Sequence, residues 1–491
     1  MKKLRYLAFD LGAESGRAIL GSLSGRRLEF QEIHRFPNAP QKILGHLHWN
    51  IFSLLDEIKT ALRICAAEFT PRPESLAVDT WGVDFGLLGR DGSVLGLPYS
   101  YRDLRTQGAM EEYFKLVPPS MVYELTGIQF MPFNSLFQLF VMSRAKSPIL
   151  ESASGLLFMP DLFNYLLTGR KATEFTIAST SQLLDPRTRT WNAELFNVMH
   201  IDPRIMQEVL RPGTTLAPLQ RDIAAEAAMD DIPVVATAGH DTGAAVAAVP
   251  AEGDRWAYIS SGTWSLVGVE LDRPVITEES RDANFTNEGG VEGRIRFLKN
   301  VTGLWLVQQC RKAWAKDRTW SYGELAQAAS EAPAFQALID PDAPDFLSPA
   351  DMPEAIRDYC RRTGQTAPET ESAFIRCILE SLALKYRLVL DQLQRILGYP
   401  LRRIHIIGGG SRNGLLCQFT ADATGIPVVT GPVEATSIGN LLVQAMAMGE
   451  VEDLRALREI VRNSVDIRGF EPREGRDWAD AYERFRTIVR S

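Results

Sequence analysis

A strand–turn–strand pattern occurs twice in this chain, and the two copies lie about half of its 491-residue length apart. In each copy, apolar segments flank a small polar turn that contains glycine: residues 10–17 in the first and 260–263 in the second. Aligning Gly12 with Gly262 places the copies 250 residues apart. Such repetition indicates an internal duplication. We therefore expect an α/β fold of two similar lobes that face each other across a cleft. The predicted lobes are residues 1–248 and 249–491.

The stretch 233–250 combines a strand pattern, a helix pattern and three polar side chains between them. Apolar residues 234–236 predict a short buried strand, and the Ala, Gly and Val residues after Gly239 predict a closely packed helix. His240, Asp241 and Thr242 lie where the strand passes into the helix, and ligands bind at such points in open α/β sheets. Asp241 is then a candidate general base or ligand anchor. The alternative is that Asp241 or Thr242 only caps the helix.

The first turn is a candidate phosphate site. Backbone N–H groups of a glycine-bearing turn can face phosphate oxygens, and Asp10, at the end of the first strand, could hold a magnesium ion through water. The alternative is an ordinary hairpin. The GxxxxGK[ST] pattern of a P-loop is not present in this turn.

The segment DTWGVDF, residues 79–85, places an indole beside carboxylates at a flexible glycine. An aromatic face can cover the apolar side of a sugar while carboxylates bind its hydroxyls. Trp81, Gly82 and Asp84 are therefore candidates for sugar contact. The alternative is a tight turn with Trp81 packed in the core.

In the second half, apolar residues recur every three or four positions from about 371 to 397 and predict a long amphipathic helix that Gly398 ends. A strand at 404–407 follows and ends in three consecutive glycines at 408–410, before a predicted helix at 413–424. Three glycines are more than a tight turn needs. They allow a flat ring or a phosphate to approach the backbone closely.

Composition excludes several function classes. The net charge of −8 and the lack of any basic run make nucleic acid an unexpected partner. We expect no membrane span, because no stretch approaches the required roughly 18 apolar residues, and we expect a cytoplasmic location. The five cysteines are scattered and contain no CxxC pair, which predicts buried thiols. Cys360 and Cys377 could pair if they met in space, but a reducing compartment disfavours this.

Three motifs together resemble the FGGY carbohydrate kinase family, a member of the superfamily of actin, heat-shock chaperones and hexokinase. DLGAESGR and SSGTW resemble the two phosphate loops of that family, and IIGGGSRN resembles its adenosine loop. AGHDT resembles the segment that carries the catalytic aspartate. The resemblance runs the length of the chain, and it implies two duplicated lobes of the actin/hexokinase, ribonuclease H-like type.

The resemblance also implies a role for individual residues. Asp241 would be the catalytic base and Asp10 would lie close to a magnesium ion. A sugar would be bound by Gly82, Asp84, His240, Asp241, Thr242 and Asn300. ATP would be bound by Ala13, Glu14, Ser15, Gly16, Arg17, Thr263, Gln308 and Gly409.

Glu14 departs from the family pattern. The branch of the family with the most similar segments, among them TNEGG, usually carries a small hydroxyl residue at this position. A carboxylate near a triphosphate would repel it. Either Glu14 points outward, or the loop binds nucleotide less tightly.

Two alternatives remain open at this level. One is that the chain is a kinase for L-fuculose or a related deoxy sugar. The other is a nucleotide-switched binding protein on the same duplicated fold, for which ATP turnover would not depend on added sugar. We expect a monomer or a small homo-oligomer.

Overall fold

The computed structural model describes residues 3–316, 318–347, 349–473, 475 and 477–490. The chain divides into two compact units, and it passes from one to the other several times. Unit 1 comprises Met1–Ala248, Glu270–Phe297 and Ala435–Ser464. Unit 2 comprises Val249–Val269, Leu298–Glu434 and Val465–Ser491.

The strands are β1 Leu4–Leu11, β2 Ser15–Ser24, β3 Arg27–Pro37, β4 Gln41–Ile43, β5 His46–His48, β6 Ser75–Thr80, β7 Phe85–Leu88, β8 Gly155–Phe158, β9 Thr173–Glu174, β10 Leu184–Asp185, β11 Thr190–Trp191, β12 Val209–Leu210, β13 Thr214–Pro218, β14 Pro233–Ala236, β15 Trp256–Ser261, β16 Trp264–Leu271, β17 Thr286–Gly289, β18 Ile295–Thr302, β19 Arg403–Ile407, β20 Val428–Thr430 and β21 Gly469–Phe470.

The α-helices are α1 Ile51–Glu68, α2 Ala109–Phe114, α3 Pro119–Thr126, α4 Ser135–Arg144, α5 Pro148–Ser152, α6 Met159–Thr168, α7 Phe175–Ser179, α8 Ala193–Val198, α9 Arg221–Ala227, α10 Asp241–Ala247, α11 Glu278–Asp282, α12 Trp305–Trp314, α13 Tyr322–Glu331, α14 Met352–Arg362, α15 Glu371–Leu397, α16 Gly414–Thr424, α17 Ala435–Ala447, α18 Leu454–Ser464 and α19 Asp477–Arg490. Single 3-10 turns occur at Leu104–Thr106, Pro203–Ile205, Val291–Gly293, Pro344–Phe346 and Gly409–Arg412.

The first large sheet has the strand order β13-β14-β6-β1-β2-β3. β1 pairs antiparallel with β2 and parallel with β6, and β6 pairs parallel with β14. All six residues of β6 are buried, as are nearly all of β1, because strands in the middle of such a sheet are covered on both faces.

The second large sheet has the order β17-β18-β16-β15-β19-β20-β21 and repeats the same plan. Its central β15 pairs antiparallel with β16 and parallel with β19, and β19 pairs parallel with β20. The outer pair β20–β21 is antiparallel, as is β13–β14 in the first sheet. The predicted duplicated α/β fold is confirmed.

The first hairpin turn is shorter than the predicted 10–17. β1 continues through Leu11 and β2 begins at Ser15, because Asp10 pairs with Arg17 and Leu11 with Gly16 in the strand ladder. Polar side chains here lie within the ladder, so polarity alone placed the turn too wide.

The long helix is confirmed as α15. Thr370 caps its first turn by accepting the Ala373 backbone N–H, and Gly398 ends it in the left-handed conformation with φ 73°. The strands predicted at 234–236 and 404–407 are also confirmed, as β14 and β19.

The cysteines and the membrane prediction can be checked directly. All five cysteines are free and buried, so Cys360 and Cys377 form no disulfide. In the described part of the chain, no helix combines the length and apolar character that a bilayer crossing requires.

Candidate active site

The segment from Gly239 to Thr242 joins β14 to α10 beside the end of β6. Thr80, the last residue of β6, donates its backbone N–H to the Gly239 carbonyl at 2.9 Å and forms a parallel bridge with His240. The small residues of α10 allow α17 to pack very closely: a Cβ atom on Gly439 would overlap the Ala244 carbonyl. The strand end and this tight helix contact together fix the polar segment.

Asp241 is the first residue of α10, and 32% of its side-chain surface is exposed. Its Oδ1 accepts hydrogen bonds from the Thr242 backbone N–H at 2.6 Å and from the Thr242 hydroxyl at 3.2 Å. Among the described residues, none donates a hydrogen bond to Oδ2. One oxygen therefore ties the carboxylate to the start of the helix, while the other is available as an acceptor.

The charge of Asp10 acts on two other carboxylates of unit 1, Asp79 and Asp241. Burial, followed by the charge of Asp10, raises the pKa of Asp79 well above its ordinary value. Burial also raises the pKa of Asp241; the adjacent His240 opposes this, and Asp10 adds to it. Burial and nearby like charges both disfavour ionisation, so Asp241 is a stronger proton acceptor than a surface aspartate.

Asp10 and Asp79 face each other in the β1–β6 register. Asp10 Oδ2 accepts hydrogen bonds from Arg17 at 2.5 Å and from the Ser437 hydroxyl at 2.9 Å. Asp79 Oδ2 accepts from the Asn440 amide at 2.6 Å, whereas its buried Oδ1 has no hydrogen-bond partner. The pair therefore keeps an unsatisfied oxygen at the strand ends.

Asp84 is completely buried and is surrounded by donors. Its Oδ2 accepts from the Trp49 and Trp81 indoles at 2.6 and 3.0 Å and from the Tyr101 backbone N–H, and its Oδ1 accepts from Gln138. Burial raises the pKa of Asp84 to about 6, although all four hydrogen bonds act in the opposite direction. The carboxylate holds the stacked Trp49 and Trp81 rings, whose centroids are 4.2 Å apart.

Gly82 lies directly against His240. A Cβ atom at Gly82 would lie 3.3 Å from His240 Nε2, so a side chain there would crowd the ring. The next residue, Val83, has φ 67°, which is strained for a β-branched residue. Hydrogen bonds from its N–H to Thr180 and from the Ser135 hydroxyl to its carbonyl hold this conformation.

The tip of the first hairpin consists of Gly12, Ala13 and Glu14. The Gly12 N–H bonds to the Ser15 carbonyl at 3.0 Å, and the Asn38 amide bonds to the Gly12 carbonyl. Glu14 is 59% exposed and its Oε1 lies 3.9 Å from Arg102 Nη2. The position of Glu14 favours the outward orientation. Gly16 is buried against the Phe36 ring, which a Cβ atom at this position would overlap.

In unit 2, Thr263 at the tip of the β15–β16 hairpin is connected to α12. Its carbonyl accepts the Gly303 and Trp305 N–H groups, and its hydroxyl donates to Gln308 Oε1 at 3.3 Å. Gly303 allows this approach, because a Cβ atom there would lie 2.7 Å from the Gly262 carbonyl. Thr263 and Gln308 therefore form one local arrangement, as candidates for the same ligand should.

The three glycines after β19 have different reasons for lacking a side chain. Gly408 has φ 77°, and a Cβ atom on Gly410 would overlap Ser261. Gly409 has open space around it, with no atom within 4 Å of a Cβ built there. The turn therefore requires two of the glycines, and the third leaves the backbone accessible.

The sugar candidates are not all in one unit. Gly82, His240, Asp241 and Thr242 lie together in unit 1, and Asp84 is fully buried in the same unit. Asn300 lies in unit 2, half-buried in β18.

Four residues that contact the segment from Gly239 to Thr242 were not predicted. Glu174 accepts the Gly239 N–H at 2.9 Å, and the Thr176 hydroxyl accepts the His240 N–H at 3.1 Å. Arg296 and Glu288 contact the His240 ring. The available signals were the hydroxyl-rich run TIASTSQ and the TNEGG motif, neither of which indicates its distant partner.

Several solved structures share this fold. Gluconate kinase from Lactobacillus acidophilus has a TM-score of 0.81 at 15% identity, covering 100% of this chain and 97% of that one. Xylulose kinase from Rhodospirillum rubrum has a TM-score of 0.80 at 19% identity, covering 100% and 98%. Plasmodium falciparum glycerol kinase with ADP has a TM-score of 0.78 at 15% identity, covering 99% and 98%.

Relatives with higher identity match over the whole length. Rhamnulokinase from Bacteroides thetaiotaomicron is 48% identical over 491 residues, which are 99% of this chain and 100% of that protein. Rhamnulokinase from Pectobacterium carotovorum is 42% identical, covering 98% and 96%. Residues 5–248 match the N-terminal domain, and residues 257–448 the C-terminal domain, of the FGGY family of carbohydrate kinases. This chain, a sugar kinase, belongs to that family.

Proposed function

We propose that this chain transfers the γ-phosphoryl group of ATP to the hydroxyl on the first carbon of L-rhamnulose, with Asp241 as general base. The observation that carries the reaction is the Asp241 carboxylate, with one oxygen tied to α10 and the other available. Its raised pKa makes it a better proton acceptor for a sugar hydroxyl. Such a base contributes about 10²–10⁴ in rate.

The choice of sugar rests on the relatives and on five segments. DTWGVDF, GIQFMPFNSLFQL, SSGTWSL, TNEGG and GPVEATSIGN are similar to segments of rhamnulokinases. The full-length identity of 40–48% with proteins of that name supports the same substrate.

A magnesium ion fits the residues near Asp10. The described part of the chain has no group of three or more His, Cys, Asp or Glu that would hold a metal on its own. Magnesium typically binds through one or two carboxylates, with water and phosphate oxygens completing its shell. We propose that Asp10 holds it, with the unsatisfied Asp79 Oδ1 nearby. When bound, the ion would neutralise charge on the transferred group.

We propose that the nucleotide is bound by the residues of the loops that resemble those of the family. Thr263, Gln308 and Gly409 are the candidates in unit 2, and the open space at Gly409 supports contact with a flat ring. In unit 1 the candidates are residues 13–17, with Arg17 held by Asp10.

The sugar would be bound by Gly82, His240 and Thr242 beside Asp241, and by Asn300 of unit 2. Asp84 then acts through Trp81, whose indole it orients, because its own oxygens are occupied by protein donors. Burying one methyl group is worth only about 1 kcal/mol, whereas a misplaced hydroxyl leaves a buried polar group unpaired at about 1–3 kcal/mol. L-rhamnulose should therefore be preferred over L-fuculose by more than over L-fructose.

An ADP-release assay over L-rhamnulose, L-fuculose, L-fructose, D-xylulose and glycerol tests this proposal. We expect the highest kcat/KM for L-rhamnulose and little ADP release without sugar. Faster turnover of glycerol or D-xylulose would refute the substrate but leave a carbohydrate kinase. ADP release independent of any sugar would instead favour a nucleotide-switched protein.

A further inference from the structure

The TNEGG motif, residues 286–290, brings a buried ion pair against His240. Arg296 is fully buried, and its Nη2 lies 3.0 Å from His240 Nδ1 and 3.1 Å from Glu288 Oε2. Its Nε donates to the Gly289 carbonyl at 2.7 Å, which fixes the guanidinium in place. A charged side chain without exposed surface is costly to retain, so this arrangement calls for a role.

The chemistry of arginine decides where the proton of His240 lies. A guanidinium has only N–H donors and stays protonated, so its hydrogen bond to Nδ1 requires a lone pair on that nitrogen. The ring proton is then on Nε2. We propose that Arg296 is a positioning residue that holds His240 in the Nε2–H tautomer, so that His240 donates a hydrogen bond to the bound sugar; the sugar contact rests on the function proposed above.

The surroundings of Nε2 fit a donor. It lies 3.4 Å from Asp241 Oδ1, and it faces Gly82, which lacks a side chain that would crowd it. The other tautomer would direct a lone pair at this carboxylate, which is unfavourable. A donor at His240 beside an acceptor at Asp241 can bind one sugar oxygen while a neighbouring hydroxyl gives up its proton.

Glu288 favours a proton on Nδ1 of His240, whereas Arg296 favours a proton on Nε2. Its Oε2 lies 3.4 Å from His240 Nδ1 and, alone, would attract a proton to that nitrogen. Burial by itself would raise the pKa of Glu288, but the charge of Arg296, together with the contact to His240, outweighs this and lowers it. Glu288 therefore stays an acceptor, and the closer Arg296 decides the tautomer.

The direct test is the ¹⁵N NMR spectrum of the histidine rings in the full-length protein without ligands. The chain contains six histidines, and His240→Gln assigns the signal. Long-range ¹H–¹⁵N correlations show which ring nitrogen carries the proton. We expect it on Nε2; a proton on Nδ1 would overturn the proposal. The measurement needs no substrate, so an Nε2–H ring in a protein that does not phosphorylate L-rhamnulose would refute only the proposed function.

Two variants make the test causal. Arg296→Met should move the proton to Nδ1, facing Glu288, and should lower kcat with sugar at least tenfold while the KM for ATP stays constant. Glu288→Gln should keep the proton on Nε2, because Arg296 still donates to Nδ1. Arg294→Met, which replaces a 40% exposed arginine two residues away, is the matched control and should change neither readout.

Arg296→Met leaves Glu288 buried and unpaired, which can impair folding. The double variant Arg296→Met/Glu288→Leu removes both charges, and its His240 ring should lose the strong preference for Nε2–H. A wild-type tautomer in either folded variant would show that Arg296 does not set it.

Discussion

The two large sheets repeat one strand order, yet they end in different chemistry. In the first sheet, Asp10 of β1 lies opposite Asp79 of β6. The corresponding positions of the second sheet, Ser260 of β15 and Ile407 of β19, carry a hydroxyl and an apolar side chain. The duplicated backbone therefore does not determine the role; the side chains at the strand ends do.

The turns after these strands differ in the same way. After β6, the chain buries Trp81 and Asp84 in a network of hydrogen bonds. After β19, three glycines leave the backbone accessible at Gly409. This contrast favours proton transfer and sugar binding in unit 1 and contact with a flat ligand in unit 2.

The largest effect should come from removing the Asp241 carboxylate, which lies in unit 1 at the start of α10. Asp241→Asn keeps the size but loses the proton acceptor, so kcat should fall by about two to four orders of magnitude. Steady-state kinetics and ATP binding by calorimetry measure this, with ATP affinity nearly unchanged. Asp222→Asn is the matched control, because Asp222 likewise accepts the next backbone N–H near the start of α9. Near-normal turnover in Asp241→Asn would show that Asp241 is not the general base, and the proposed difference in role between the two units would lose its main support.

A pH effect should separate the buried turn of unit 1 from the glycine turn of unit 2. Folding raises the pKa of Asp84 from 3.8 to about 6, so the folded chain holds this proton more tightly. The stability from this group is fully present below pH 4 and is lost as pH rises to about 6. At 1.36 kcal/mol per pKa unit the loss is about 3 kcal/mol.

Asp84→Asn is neutral at every pH and should lack this part of the pH dependence. Chemical denaturation between pH 4 and 7 measures the free energy of unfolding of both proteins. Asp91→Asn, at an exposed turn, should keep the wild-type dependence. Parallel curves for wild type and Asp84→Asn would contradict the assigned pKa.

The smallest effect concerns unit 2. Gly409→Val should place a branched side chain in the open space and weaken ATP binding by about tenfold, equal to about 1.4 kcal/mol. Gly469→Val is the control, since Gly469 also has no atom within 4 Å of an added Cβ but lies in β21. Calorimetry with ATP and with sugar should show loss of nucleotide affinity alone. Equal ATP affinity for both variants would place the nucleotide elsewhere.

Local patterns predicted the regular elements well. The period of apolar residues and the stop at Gly398 were sufficient for α15, and a short apolar run followed by glycine was sufficient for β14. In the first hairpin, the ladder pair Asp10–Arg17 extended the strands into polar sequence. Polarity does not reveal which polar residues pair across a hairpin.

The support of the site could not be predicted, because its partners are distant along the chain. Asp84 looked like a sugar ligand, and the sequence does not indicate that Trp49 and Gln138, 35 and 54 positions away, would occupy its oxygens. Arg296 lies 56 positions from His240. Such pairs follow from the arrangement of whole elements and not from local spacing.

α17 comes late in the sequence but packs in unit 1, and this constrains how the first sheet can fold during synthesis. Residues 435–464 belong to unit 1, and α17 supplies Ser437 to Asp10, Asn440 to Asp79 and Gln444 to the Leu7 carbonyl. During synthesis, the first sheet must therefore wait for almost the whole chain before its central strands are covered. A ribosome-bound or truncated fragment of residues 1–248 would expose the apolar surface that α17 covers and would leave Asp79 without its Asn440 partner. Exposed apolar surface is the condition under which nascent chains aggregate or need chaperones.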